Sequence, residues 1–275
     1  IAELHLRSQW VACIDPFVDK RLIAGVDYNT DLGNRKIVGF SSGLGAYGEL
    51  NLAISSERDT LCRLIQLVEI SLSSLFPHIN PKYFVPISPH IVQESENIIG
   101  LSSLRAVVGD GEKVREVIGF SAVSRLLQGT SDGAIMQQLV PIDALLHWFK
   151  GSEYQLRPDL VQLSIFIRKG LPPLIKAVVI ECKVGIESIS HSYKATQQVI
   201  DGLSHLVRIF EPNHALNNNL VFDQRYWWAQ LQRAITSRSE LSKQTDCTDE
   251  DIQLALERIA EGYYDIEWRG ALFTF

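Results

Sequence analysis

The chain has 275 residues, 46% of them hydrophobic and 21% charged, with a formal net charge of −6. Such a composition excludes wholesale disorder, collagen and extended coiled coil, and the length allows one large domain or two ordinary ones with a sizeable core. The negative sign excludes a uniformly basic nucleic-acid surface but leaves room for a local nucleic-acid site.

In chain order, Trp10 to Ile14 reads as a short strand broken at Asp15-Pro16, and Lys36 to Phe40 and Leu50 to Ile54 as two more strands. Between the latter two, Gly43-Leu44-Gly45-Ala46-Tyr47-Gly48 matches G-x-G-x-x-G. That motif binds a dinucleotide when a helix N-terminus follows, and here an alternating strand pattern follows, so a glycine-rich loop is expected instead. There is no G-x-x-x-x-G-K-[ST] phosphate loop. Arg58 to Leu75 carries a broad apolar stripe at helical spacing; Pro77, Pro81, Pro86 and Pro89 then predict a loop. Helices are expected from about Ile91 to Val108 and from Glu112 to Leu127, separated by the turn Gly109-Asp110-Gly111.

Gly129 to Gly133 is the clearest internal boundary, dividing an N-terminal α/β module (1–130) from a second unit (131–275). After it come a weakly strand-like Ala134 to Val140 and a short helix, Pro141 to Phe149, with proline in its first turn. Two strong strands follow, Leu156 to Ile167 and Leu174 to Val184, and then a long helix from Ser190 to Phe210. Further helices are expected over Asp223 to Ser237 and Thr248 to Glu261, and a final strand over Trp268 to Phe275. Tyr226-Trp227-Trp228 could stack bases, but Trp228, Leu231 and Ile235 share a helical face, so core packing is expected, as it is for Trp148-Phe149. His191 and His205 are read as structural.

No basic start, apolar run and small-residue cleavage site follow Ile1, and no apolar run is long enough to span a bilayer, so neither a secretory leader nor a membrane segment is expected. Cys13, Cys62, Cys182 and Cys247 are scattered, without C-x-x-C spacing, and the histidines show no H-x3-H or H-E-x-x-H pattern. This fits a reducing, cytoplasmic setting without zinc or a disulfide framework.

The chemistry-bearing signal lies in the two strong strands. The first opens with Pro158-Asp159 and the second ends in Glu181-Cys182-Lys183 after a nearly continuous apolar run from Ile175 to Ile180. Residues two apart on a strand share a face, so Glu181 and Lys183 project together, with Asp159 within reach from the neighbouring strand. Two carboxylates supply hard oxygen ligands for Mg2+, and a lysine beside them can orient or deprotonate water, or neutralise charge in a transition state. A buried strand ending in charged residues needs such a purpose, because an unpaired buried charge is costly. The bland alternative is a surface ion pair on an edge strand.

These residues resemble the PD-(D/E)XK, restriction-endonuclease-like nuclease superfamily, whose core runs helix, strands, helix, strand around a central sheet. The resemblance covers roughly 131–210 and implies an α/β fold with a mixed central sheet flanked by helices, preceded by the N-terminal α/β module. It implies a Mg2+- or Mn2+-dependent DNA endonuclease, with Asp159, Glu181 and the Cys182 carbonyl as metal ligands and Lys183 as the catalytic lysine. The family often places another acid in the preceding helix, which makes Asp143 a metal-ligand candidate. It also places Gln, Lys or Tyr in the following helix, where Lys194, Gln197 and Gln198 fall; Lys194 and Gln198 are the candidates for supporting the substrate phosphate or Lys183. Together with the Trp10 to Pro16 run and the Gly45-Ala46-Tyr47-Gly48-Glu49 segment, the motif is similar to nuclease segments of large antiphage restriction ATPases, including those of phosphorothioation-dependent restriction. That implies DNA and further domains or subunits, among them an ATPase motor, as partners; single copies and a homodimer both stay open. A catalytically silent nuclease fold used for DNA binding or assembly, and an unrelated α/β interaction protein, are the alternatives. Locally, 151–210 holds seven basic and five acidic residues, so this segment is mildly basic within an acidic chain.

Overall fold

The computed structural model describes residues 11–14, 38–42, 51–55, 58–98, 111–128, 133–149, 157–185, 189–213, 222–236 and 247–275. The G-x-G-x-x-G segment, the 150–156 connection and the turn expected at 109–110 lie outside these. Three short N-terminal strands, β1 (Val11–Ile14), β2 (Val38–Ser42) and β3 (Asn51–Ser55), form a sheet in the order β1-β3-β2. Strand β3 is parallel to β1 and antiparallel to β2. A strand therefore does follow the glycine-rich segment, as its alternation predicts.

Three helices come next: α1 (Arg58–Leu75), α2 (Phe84–Ile98) and α3 (Gly111–Leu127). Leu64, Val68 and Leu72 of α1 pack on Phe84 and Val92 of α2 and on Val114, Val117 and Ile118 of α3. The loop expected through Pro89 is instead mostly helix, because α2 starts at Phe84 after a 3-10 turn at Pro81–Tyr83. Pro86 sits in the first turn, where its missing N–H has no partner to lose. Pro89 lies inside the helix, in its second turn, and the Ser88 hydroxyl donates to Phe84 O (2.9 Å) beside it.

The main sheet has four strands in the order β4-β5-β6-β7: β4 (Met136–Pro141), β5 (Leu160–Phe166), β6 (Leu174–Lys183) and β7 (Asp265–Thr274). The first three form an antiparallel meander and β7 joins β6 in parallel, so the sheet is mixed. Parallel pairing requires a crossover, which helices α4 (Ile189–Ile209), α5 (Phe222–Thr236) and α6 (Asp249–Ala260) supply. The fold is thus α/β, with a four-stranded mixed sheet flanked by helices.

Pro141 ends β4 rather than opening a helix, and Ile142–Phe149 is a 3-10 segment kinked at Leu145, not a regular helix. Its start is tied to β5 by a hydrogen bond from Ile142 N to Asp159 O (2.9 Å). One face of the sheet packs Val161, Leu163, Ile165, Ile175, Ala177 and Val179 against Trp148, Leu206, Phe210, Trp228 and Leu231. Trp228 and Trp148 are core residues, as expected, and the Trp228 indole donates to Glu211 O (3.0 Å). The other face packs Leu160, Ile180 and Cys182 against Phe120 and Val123 of α3. Apolar packing therefore crosses the boundary expected at residue 130, and α3 is shared between the three-helix layer and the sheet. Among the described residues no helix is long and apolar enough to cross a membrane.

Candidate metal centre

Alternation along β6 sorts its end residues. Ile180 and Cys182 face α3, where Gly119 lets the helix come close: a Cβ there would lie 2.4 Å from the Cys182 sulfur. Glu181 and Lys183 therefore face the opposite side, the side of α4.

Asp159 reaches the same place through a break in the β5–β6 ladder. Leu160 is in register with Ile180, yet the Asp159 N–H also donates to Ile180 O (3.1 Å). Two residues on one strand thus face one on the other, the arrangement of a β-bulge, which re-aims a side chain at a strand end. The Asp159 carboxylate turns onto β6, where its Oδ2 accepts the Cys182 N–H (2.9 Å). The backbone of the second strand thereby holds the acid of the first beside Glu181.

Glu181 is fully buried. The Lys183 ammonium donates a hydrogen bond to Glu181 Oε1, while Oε2 has no hydrogen-bond partner among the described residues. Burial pushes the Glu181 carboxyl up to about 8, the Asp159 charge adds to that, and the Lys183 hydrogen bond offsets only part. Burial alone would lower the Lys183 ammonium, but its hydrogen bond to Glu181 and the charges of Glu181 and Asp159 hold it above the ordinary lysine value. The Cys182 thiol is pushed up to about 12, chiefly by burial and by the same two carboxylates, so it is neither a thiolate ligand nor a nucleophile.

The donor set fits a hard divalent cation. An orphaned, desolvated carboxylate oxygen beside a second carboxylate is a position that positive charge would relieve. Mg2+ keeps several waters and needs only one or two protein carboxylates besides substrate phosphate. Among the described residues, however, no group of three or more His, Cys, Asp and Glu side chains gathers as a metal site. The side chain of Asp143 lies outside the described residues; its backbone directly follows Ile142, which is anchored on Asp159.

Helix α4 borders the site. Gln198 donates to Arg157 O (2.7 Å), two residues before Asp159, and its own Oε1 is buried without a partner. Lys194 is exposed one turn earlier on the same helix. Gln197 instead donates along the helix to Asp201 (2.7 Å). His191 is exposed, and His205 is buried with its Nε2 at 2.6 Å from Trp148 O, the structural role expected for it. Two residues that sequence reasoning passed over lie near the end of β6 on its other face, both on α3. The charge of Glu116, which is paired with Lys113 at 2.6 Å, bears on the Cys182 thiol. The Arg115 guanidinium lies 3.8 Å from where a Cβ of Gly185 would stand, just past Lys183. Their only signal in the sequence was membership of the helix that precedes the meander, and the shorter segment nearer Asp159 drew that role instead.

The chain matches no protein-family model, no curated protein and no solved structure.

Proposed function

We propose that this chain is a Mg2+-dependent DNA endonuclease of the PD-(D/E)XK type, hydrolysing phosphodiester bonds at the Asp159–Glu181–Lys183 centre. The observation that carries this reading is the bulge-directed meeting of Asp159 with a fully buried Glu181 whose second oxygen has no partner among the described residues. The order of elements agrees in part: the strand after Asp159, the strand with Glu181 and Lys183, and the long helix follow as the resemblance implies, whereas the leading helix expected over Pro141 to Phe149 is a strand end and a 3-10 segment.

Asp159, Glu181 and the Cys182 carbonyl would hold the cation, with Asp143 as a further candidate. When bound, Mg2+ supplies Lewis-acid stabilisation of the phosphate oxygens and lowers the pKa of a bound water. The rest falls to the chain. Lys183, on the same face as Glu181 and bonded to it, would position or activate water and offset negative charge at the phosphorus. Asp159 is positioned by the Cys182 N–H and needs no rearrangement to present its carboxylate. Gln198 braces the Arg157 backbone that leads into Asp159, and Lys194 is placed to meet phosphate from solvent. A setting within a restriction or antiphage complex, with a separate motor, rests on the sequence resemblance.

A plasmid-nicking assay with Mg2+ or Mn2+ tests the reading. Lys183→Ala and Asp159→Ala should each lower cleavage by at least about 100-fold, with unchanged circular dichroism. A Lys183→Ala protein that nicks at the wild-type rate would falsify it. The second reading, a silent nuclease fold that binds DNA, is favoured by one observation: the Lys183 ammonium is already bonded to Glu181 and no third side-chain ligand joins the pair among the described residues. Wild-type protein that binds DNA yet leaves it intact with either metal would select that reading.

A further inference from the structure

Strand β7 ends the main sheet, and among the described strands it pairs only with β6. It is ten residues long, an unusual length to leave with one side unpaired, because a long free edge templates pairing with another strand. Its inward groups are identified at both ends: Asp265 N donates to Pro173 O (2.9 Å) and Phe275 N donates to Lys183 O (2.9 Å). With a period of two, the odd residues point their N–H and C=O groups at β6, and Ile266, Trp268, Gly270 and Leu272 point theirs at the free edge.

Beside that edge lies an uncovered apolar flank of α4. Gln198 and His205 contact Arg157 and Trp148 on the β5 side, and Gly202 sits over Pro158 and Val179. Val199 lies over Gly270 of β7. Continuing around the helix in the same sense brings Leu203, then Val207, Ile200 and Tyr193, beyond β7. Ile200 is 49% exposed, Val207 43% and Tyr193 74%.

We propose that the β7 edge and this α4 flank form a homodimer interface, in which β7 pairs antiparallel with β7 of a second copy about a two-fold axis at Trp268. Three features agree with that arrangement. First, it matches Trp268 with itself and Ile266 with Gly270, all residues whose backbone groups face outward. Second, it sets exposed Glu267 opposite Arg269 of the other copy, twice by symmetry, at non-hydrogen-bonded positions where side chains approach most closely. Sliding the axis by one residue either way would set Glu267 against Glu267, or Arg269 against Arg269. Third, α4 lies over the β6–β7 gap, with Gly202 over Val179 and Val199 over Gly270, the register partner of Val179, so the exposed Ile200 and Val207 flank lies on the side of the helix toward the two-fold axis. Spacing also fits: a helix over the β6–β7 gap lies about 5 Å from the axis, giving about 10 Å between the two α4 helices, a packed helix–helix distance. A two-fold contact of this kind is self-complementary and closed, unlike an open-ended strand stack. The inference does not rest on the nuclease reading.

Sedimentation velocity and light scattering on the 275-residue chain at micromolar concentration test it. Wild type should be dimeric. Glu267→Arg and Arg269→Glu should each weaken the dimer by about tenfold, since each replaces two attractive cross-strand pairs with two repulsive ones. The combined Glu267→Arg, Arg269→Glu protein should regain wild-type affinity. Both residues are exposed, so thermal melts should confirm that the variants fold. A monomeric wild type, a dimer indifferent to the single reversals, or a double reversal as dissociated as the singles would each overturn the proposal.

Discussion

Glu181 is a buried carboxyl beside a second acid, and on the proposed reading a cation would take the place of its proton. In the metal-free protein, burial and the neighbouring Asp159 charge keep its carboxyl protonated up to about pH 8. Binding a cation must therefore expel a proton at neutral pH, so Mn2+ affinity should tighten as pH rises toward 8 and weaken toward 6. Glu181→Gln mimics the protonated form: its amide oxygen still accepts from Lys183, and the fold should be as stable as wild type at pH 7. What the variant loses is the metal. At about 100 times its Kd, a ligand raises wild-type stability by about 2.7 kcal/mol, and the corresponding Mn2+-induced rise in Tm should vanish in Glu181→Gln. A variant that retains the full shift would show that Mn2+ binds elsewhere.

At the level of elements, the site depends on how closely α4 lies on the sheet. Gly202 faces Pro158, and a Cβ there would fall 2.6 Å from two ring carbons. Alanine has the better helix propensity, worth about 1 kcal/mol in its favour, but here the backbones cannot part without moving Pro158, the residue before Asp159. Gly202→Ala should cost a net 1–3 kcal/mol in urea unfolding, of the order of other overpacked contacts (about 1–3 kcal/mol). Because the same shift loosens the Gln198 bond to Arg157 O, cleavage should fall more than stability alone would explain. A stabilised Gly202→Ala protein would mean that α4 lies looser on the sheet than described. Elsewhere the helices carry ordinary devices: Thr248 and Asp251 form a reciprocal capping box at the start of α6, satisfying two backbone donors at once.

For the whole molecule, the layers on the α4 side are joined through two buried histidines. His205 links α4 to Trp148 O at 2.6 Å, and His147 meets Gln230 of α5 at 3.1 Å. Burial lowers the pKa of both, despite those hydrogen bonds. The sign follows: below pH 6.5 the unfolded chain takes up protons that the folded chain refuses, so stability present above that value is lost as pH falls. His205→Gln keeps a donor for Trp148 O without the titration. Its melting temperature should drop less than that of wild type between pH 7 and pH 5; parallel curves would assign the acid sensitivity to other groups.

Much of this architecture was legible in the chain. The apolar runs of β5 and β6, the helical stripe of α1 and the core role of Trp228 follow from periodicity, because burial on one face leaves a direct mark on sequence. The spacing of Glu181 and Lys183 likewise placed both on one face. Less was legible where a neighbour sets the outcome. Pro89 looked like a breaker, yet it sits inside α2, a helix held by the packing of Phe84 and Val92 on α1 and α3 despite the backbone bond that proline cannot make. Ile142–Phe149 had a helical composition, but its anchor on Asp159 O sets a tighter turn. Sequence by itself determined which residues could carry charge into the core. Only the tertiary structure decided that a bulge and a backbone N–H from the neighbouring strand bring Asp159 to Glu181, and that one carboxylate oxygen has no partner among the described residues. These are properties of two strands in register, and strand register depends on contacts between residues far apart in the chain.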